Sequence, residues 1–137
     1  MRSTALIDSG PLIALFDRRD RHHHEVVHFL KAYRGKLLTT WPVLTEVSHI
    51  LDFNLQVQLD FLRWVERGAL EIYTLQEEHL ARIIEMMEKY TDIPMDLADA
   101  TLMFAAQSER IDKIISIDSD FDIYRTLKNG TLINLLK

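Results

Sequence analysis

The carboxylates of Asp8, Glu46, Asp99 and Asp118 are the side chains whose type and placing suggest chemistry. Each alone has an ordinary explanation. An aspartate after a strand caps or turns the chain, and a glutamate in a first helical turn favours the helix dipole. Asp96 and Asp99, three apart, fall on nearly one face of a helix, where two acids repel unless a cation sits between them. Asp96 reads as the cap of that helix, whereas Asp99, one turn in, is not explained as a cap. Asp118, Asp120 and Asp122 alternate like the start of a calcium loop, but the glycine at its sixth position and the glutamate at its twelfth are missing. Four dispersed acids with oxygen-only donors select Mg²⁺ or Mn²⁺ over zinc. Such a cation binds a phosphate oxygen, lowers the pKa of a bound water and neutralises the charge of an in-line displacement, singly or as two ions about 4 Å apart.

The elements needed to gather these acids are legible in the hydrophobic pattern. Ala5-Leu6-Ile7, stopped by Asp8 and the turn cluster Ser9-Gly10-Pro11, reads as a buried strand. A helix follows from Leu12 to Phe16, then one from His23 to Tyr33 with Val26, Val27, Leu30 and Tyr33 on one face, ended by Gly35. Residues 36–39 form a second strand. Thr40 caps a helix from Pro42 to Asp52, and Gly68 ends another from Leu55 to Arg67. Ala69–Leu75 is a strand, Gln76–Tyr90 a long helix, Asp96–Glu109 the next helix, and Lys113–Ile117 and Thr131–Leu135 the last strands. Strands alternating with helices predict an α/β fold with a mostly parallel sheet, interrupted by a helical hairpin between the second and third strands. Asp8 and Asp118 then both lie beyond the carboxyl ends of strands, where ligands bind in such sheets.

Composition sets the bounds. The 137 residues suit one domain spanning 1–137, and 47% hydrophobic residues supply its core. There is no cysteine, which excludes disulfides and thiolate metal sites and suits a reducing, cytoplasmic setting. The first seven residues are too short and polar for a signal peptide, and no apolar run is long enough to span a membrane. A formal charge of −5 argues against a protein that holds nucleic acid mainly by charge, but not against a nuclease.

Four segments in this order carry a family resemblance: Leu6-Ile7-Asp8-Ser9-Gly10-Pro11-Leu12, Thr45-Glu46-Val47, Asp99-Ala100-Thr101-Leu102-Met103-Phe104-Ala105 and Ser116-Ile117-Asp118-Ser119-Asp120-Phe121. Together they resemble the PIN-domain family, in particular VapC-like toxins of toxin–antitoxin pairs, over essentially the whole chain. The resemblance implies a three-layer fold with a central sheet of four to five strands, an acidic pocket for Mg²⁺ or Mn²⁺, and endonucleolytic cleavage of RNA. Asp8, Glu46 and Asp99 match the first three family acids, with Asp8, Asp99 and Asp118 as metal ligands. Asp118 matches the fourth acid, and Asp120, before Phe121, is a contributor that spacing does not separate from it. Ser9 and Ser116 match small hydroxyl positions lining the pocket, and Asp96 an extra acid of some members. The resemblance also points to a homodimer and to an antitoxin partner.

A dehalogenase-type phosphatase wants a second aspartate where Gly10 stands, and a receiver domain wants a late lysine after its strand, whereas Lys113 precedes one. A non-catalytic PIN-like module binding RNA or protein is the alternative to the nuclease. Arg18, Arg19 and Arg21, with Lys31, Arg34 and Lys36 further on, form a basic stretch suited to RNA phosphate. His22-His23-His24 reads as a solvated loop rather than a metal site, because adjacent histidines at a helix start diverge. Trp41 and Trp64 read as core or interface packing, Met86, Met87 and Met103 as core filler. The hairpin carries Leu51, Phe53, Leu55, Leu59, Phe61, Leu62 and Trp64, an apolar excess that predicts association.

Overall fold

The structure, a computed structural model, describes residues 3–137. Five short strands form one sheet: β1 (Thr4–Ile7), β2 (Lys36–Thr40), β3 (Glu71–Tyr73), β4 (Lys113–Ile115) and β5 (Ile133–Asn134). Their order is β3-β2-β1-β4-β5, and every pairing is parallel. The central strands read as unbroken apolar runs because helices cover both faces of a parallel sheet. Ala5, Leu6, Ile7, Ile114 and Ile115 are all fully buried.

Six α-helices surround the sheet: α1 (Ser9–Phe16), α2 (His23–Ala32), α3 (Trp41–Ile50), α4 (Leu55–Glu66), α5 (Leu80–Lys89) and α6 (Leu97–Glu109). Helix α6 is the most deeply set. Ala98, Ala100, Thr101, Leu102, Met103, Ala105 and Ala106 are buried, and the small residues among them let it approach the sheet closely. Its last turn ends on Arg110 at φ 55°, a left-handed cap made without glycine. Asn54 caps α4, accepting hydrogen bonds from the backbone N–H groups of Gln56 and Val57.

Several local expectations give way to tertiary contacts. Helix α1 starts at Ser9 rather than Leu12 and takes Pro11 into its first turn. Thr40 stands before α3, but its side chain makes no cap bond; the hydroxyl instead meets that of buried Thr101 at 2.7 Å, tying β2 to α6. The long helix over 76–90 is broken. His79 Nδ1 accepts the Gln76 N–H at 3.0 Å, which holds Glu77–His79 as a 3₁₀ turn and delays α5 to Leu80. Strands β3 and β4 are shorter than their apolar runs. Helix α2 ends at Ala32, and Gly35 lies in the following turn, where a Cβ would strike the Tyr33 hydroxyl and the Ser3 carbonyl. Trp64 is half-buried and meets Phe16 edge-on at 5.4 Å, whereas Trp41 is 57% exposed and belongs to no core. Met86 and Met103 are fully buried. In the hairpin, Leu51 and Phe61 are buried, so its exposed apolar surface reduces to Ile50, Phe53, Leu55 and Leu62. Among the described residues no helix is long and apolar enough to cross a membrane.

Candidate active site

Strand order reverses beside β1. From there the chain steps outward to β2 and β3, then returns to β4 on the other side. The crevice at the carboxyl ends of β1 and β4 is therefore the switch point of the sheet, the place such folds use for ligands. Register fixes what stands there. Ile7 pairs with Ile115, and the Asp8 N–H bonds the Ile115 carbonyl at 3.1 Å, which brings Asp8 abreast of Ser116.

Asp8 is only 5% exposed. The Ser116 hydroxyl donates to its Oδ2 at 3.2 Å and accepts the Asp118 N–H at 3.0 Å. One serine thus links the ends of two strands and orients the first acid. Ser116 is itself held by Asn134 at the end of β5, whose amide accepts the Ser116 N–H at 3.2 Å and donates to the Ser116 carbonyl at 2.9 Å. Ser9, the first residue of α1, supplies a backbone bond to the Asp8 carboxylate, while burial pushes that carboxyl up to about 6, with Glu46 and Asp118 adding repulsion.

Asp99 stands in the first turn of α6. Desolvation raises its carboxyl to about 8, and the charges of Asp96, Asp8, Asp118 and Glu46 push in the same direction. Four acids from β1, α3, α6 and the segment after β4 therefore act on one carboxyl. Asp96 performs the capping role expected of it, accepting the Asp99 N–H at 2.8 Å. Asp118 is an exposed cap as well: its Oδ1 accepts the Asp120 N–H at 2.9 Å and starts the 3₁₀ turn Ser119–Asp122. Asp120 is half-buried beside it, its carboxyl raised by partial desolvation and then by Asp118. Glu46 is half-buried on α3.

Two contributors carried no sequence signal. Asn134 is one. Tyr124 is the other: fully buried, it donates its hydroxyl to the Pro94 carbonyl at 3.0 Å, with Asp99 Oδ2 at 3.5 Å as the second oxygen in reach. Burial, then the Asp99 charge, holds this phenol above its ordinary range.

A divalent cation suits this donor set. Among the described residues no three carboxylate or imidazole groups stand together as a ready-made cage. Mg²⁺ does not need one, because it binds through one or two carboxylates and keeps several waters for substrate oxygens. Buried, mutually repelling carboxylates are the condition that a hard cation relieves. The histidine run is not part of the site. His23 Nδ1 lies 2.7 Å from the Ala14 carbonyl on α1, and His22 pairs with Glu25 at 3.6 Å. The arginines after α1, Arg18, Arg19 and Arg21, are all exposed; Arg19 also pairs with Asp17 at 3.3 Å and lies over the Phe53 ring at 4.5 Å.

Comparison with known proteins gives this arrangement its relatives. The chain is 28% identical over 125 residues to a VapC ribonuclease of Archaeoglobus fulgidus, covering 87% of this chain and 80% of the relative. Among solved structures it is similar to the VapC20 toxin of Mycobacterium tuberculosis, which cleaves the sarcin–ricin loop, with a TM-score of 0.80 at 15% identity over 88% of this chain and 94% of that one. It also overlays on a toxin–antitoxin complex from Klebsiella pneumoniae with a TM-score of 0.63 at 22% identity, covering 84% and 87%. At these identities the solved structures speak for the fold. The sequence profile of the PIN domain matches residues 5–127, and the chain belongs to the PIN domain family.

Proposed function

We propose that this protein is an endoribonuclease dependent on Mg²⁺ or Mn²⁺, and the toxin of a toxin–antitoxin pair. The observation that carries the reading is the buried Asp8 at the switch point, held by Ser116, acted on by Glu46 and Asp118 and coupled to Asp99. The name of the A. fulgidus relative supports the substrate. Asp8, Asp99 and Asp118 would hold the cation. When bound, the ion supplies a more acidic water and a counter-charge for the phosphoryl oxygens. Ser116 fixes the orientation of Asp8, and Glu46 would serve as the general base. Asp120 supports Asp118 through the shared turn.

The protein acts in the cytoplasm as one domain over 1–137. Arg18 and Arg21 guide RNA phosphates toward the acids, with Arg19 largely committed to Asp17 and Phe53. The exposed Phe53, Leu55 and Leu62 supply apolar surface for a second copy or for an antitoxin, the partner class seen with the K. pneumoniae neighbour.

The test is cleavage of single-stranded RNA with Mg²⁺, Mn²⁺, chelator and the Asp8→Asn variant. Cleavage should vanish with chelator and with Asp8→Asn. Salt-dependent RNA binding that persists without any cleavage in the parent would instead identify a non-catalytic RNA-binding module.

A further inference from the structure

Trp41 is the first residue of α3 and 57% exposed. Its indole N–H makes no hydrogen bond among the described residues. Leaving so large an apolar surface in water forgoes stabilisation that a core position would give. The ring lines an open groove of about 620 Å³ with Pro42, Thr45, Glu46, His49, Asp96 and Leu97. Leu97, 49% exposed on α6, provides apolar surface on the α6 side of the groove. Two of the lining groups, Glu46 and Asp96, belong to the acid cluster. The groove thus shares two acids with the proposed active site.

The chemistry of the lining selects the occupant. Glu46 and Asp96 are acceptors and repel phosphate, so the sugar–phosphate backbone does not run through the groove. Thr45 gives its hydroxyl hydrogen to the Trp41 carbonyl at 3.0 Å and keeps only acceptor capacity. An indole face, apolar surface from Leu97 and several acceptors suit a flat, uncharged group that carries N–H donors on its edge. A nucleobase is such a group: stacking on an aromatic is tolerant of sequence, and carboxylates accept from exocyclic amino groups.

We infer that the indole of Trp41 stacks an unpaired base of the RNA next to the scissile phosphate and so positions the strand for cleavage. This rests on the nuclease reading for the identity of the ligand, but not on catalysis. Purines, with larger faces, bind ahead of pyrimidines, and guanine, with two adjacent edge donors, binds best.

The experiment uses the full chain carrying Asp8→Asn, so that RNA survives, and reads the anisotropy of a labelled single-stranded 10-mer in Mg²⁺ buffer. Substrates with an abasic site at each position in turn should show one position where binding weakens on the order of 5- to 100-fold. Trp41→Ala should lose the same factor on intact RNA and be indifferent to that abasic site, and Trp41→Phe should retain most of the affinity. With Trp64→Phe, Trp41 becomes the sole tryptophan, and its fluorescence should quench saturably with RNA. In the cleaving parent, Trp41→Ala should raise KM more than it lowers kcat. If parent RNA cleavage is absent but the abasic cycle holds, the nuclease reading fails and the stacking role stands. Cleavage by the parent, together with a Trp41→Ala variant that binds intact RNA and every abasic substrate as tightly as the parent does, would overturn the stacking role alone. So would a Trp41→Ala variant that sediments as a smaller species while its RNA titration is unchanged, because the face would then join two copies of the chain.

Discussion

The side-chain amide of Asn134 brackets the peptide of Ser116, accepting its N–H at 3.2 Å and donating to its carbonyl at 2.9 Å. The same oxygen also accepts the Leu136 N–H at 3.1 Å. A strand of two residues at the sheet edge therefore controls the serine that orients Asp8. Replacing Asn134 by Ala leaves a buried N–H without a partner, a loss of about 2 kcal/mol. Activity should fall about 10- to 100-fold, the range for losing a group that orients a metal-binding acid. Ser116→Ala should show a similar activity loss with less destabilisation. Denaturant melts and cleavage rates on both variants check the pair; an Asn134→Ala protein with parental activity would separate β5 from the site.

Asp99 makes a pH prediction with a definite sign. A carboxyl raised to about 8 in the fold and ionising near 3.8 in the unfolded chain keeps its proton longer when folded. Between those values the folded state binds more protons, so stability in chelator falls as pH rises from about 4 to about 8, then levels off. Asp8, raised to about 6, adds to the lower part of that fall. Asp99→Asn should flatten the slope and gain on the order of 1 kcal/mol at pH 8 after allowance for solvent screening. For a domain of this size that is roughly 3–6 °C in Tm. Mg²⁺ should raise the parent's Tm at pH 8 more than the variant's. A Tm lowered by Asp99→Asn at pH 8 would make Asp99 a structural acid.

The arginines after α1 should divide in function. All three are exposed, and Arg19 in addition pairs with Asp17 and lies over Phe53. In a salt titration of RNA affinity, Arg18→Ala and Arg21→Ala should each reduce the slope of log affinity against log salt by about 0.7. Arg19→Ala should change it less and loosen the contact between α1 and the hairpin. An unchanged slope in the triple variant would place the RNA path elsewhere.

Association should depend on the hairpin. Phe53, Leu55 and Leu62 remain exposed after folding. Substituting all three by Ser should leave the melt nearly unchanged and shift sedimentation of the free protein from dimer to monomer. A parent that stays monomeric at high micromolar concentration would leave that surface to an antitoxin alone.

Most of this arrangement was legible in the sequence because its signals are local. The run Ala5-Leu6-Ile7 stopped by Asp8 identifies both a buried strand and the acid at its end, and the break before Pro94 leaves Asp96 to cap α6. Where long-range partners decide, local signals gave way. Thr40 has the chemistry of a cap, yet buried Thr101 claims its hydroxyl. Gln76–Tyr90 has helical periodicity, yet the His79 ring accepts the Gln76 N–H and tightens the first turn. Trp41 follows buried Thr40 and precedes Pro42, and nothing local tells that its ring faces water. Asn134 and Tyr124 act through partners 18 and 25 residues away, a pairing that only strand order and helix packing create.

The pairing of β1 with β4 also sets when the site can exist. Asp8 and Ser116 are separated by 108 positions, and no contact nearby in sequence brings them together. Closing so long a loop carries an entropic cost that grows with its length, and folds dominated by such pairings form slowly. While the chain emerges from the ribosome, Asp8 is made early and waits for β4, and Ser116 waits again for Asn134. A partly made chain therefore carries the acids without the constellation. The site is complete only once synthesis has passed β5.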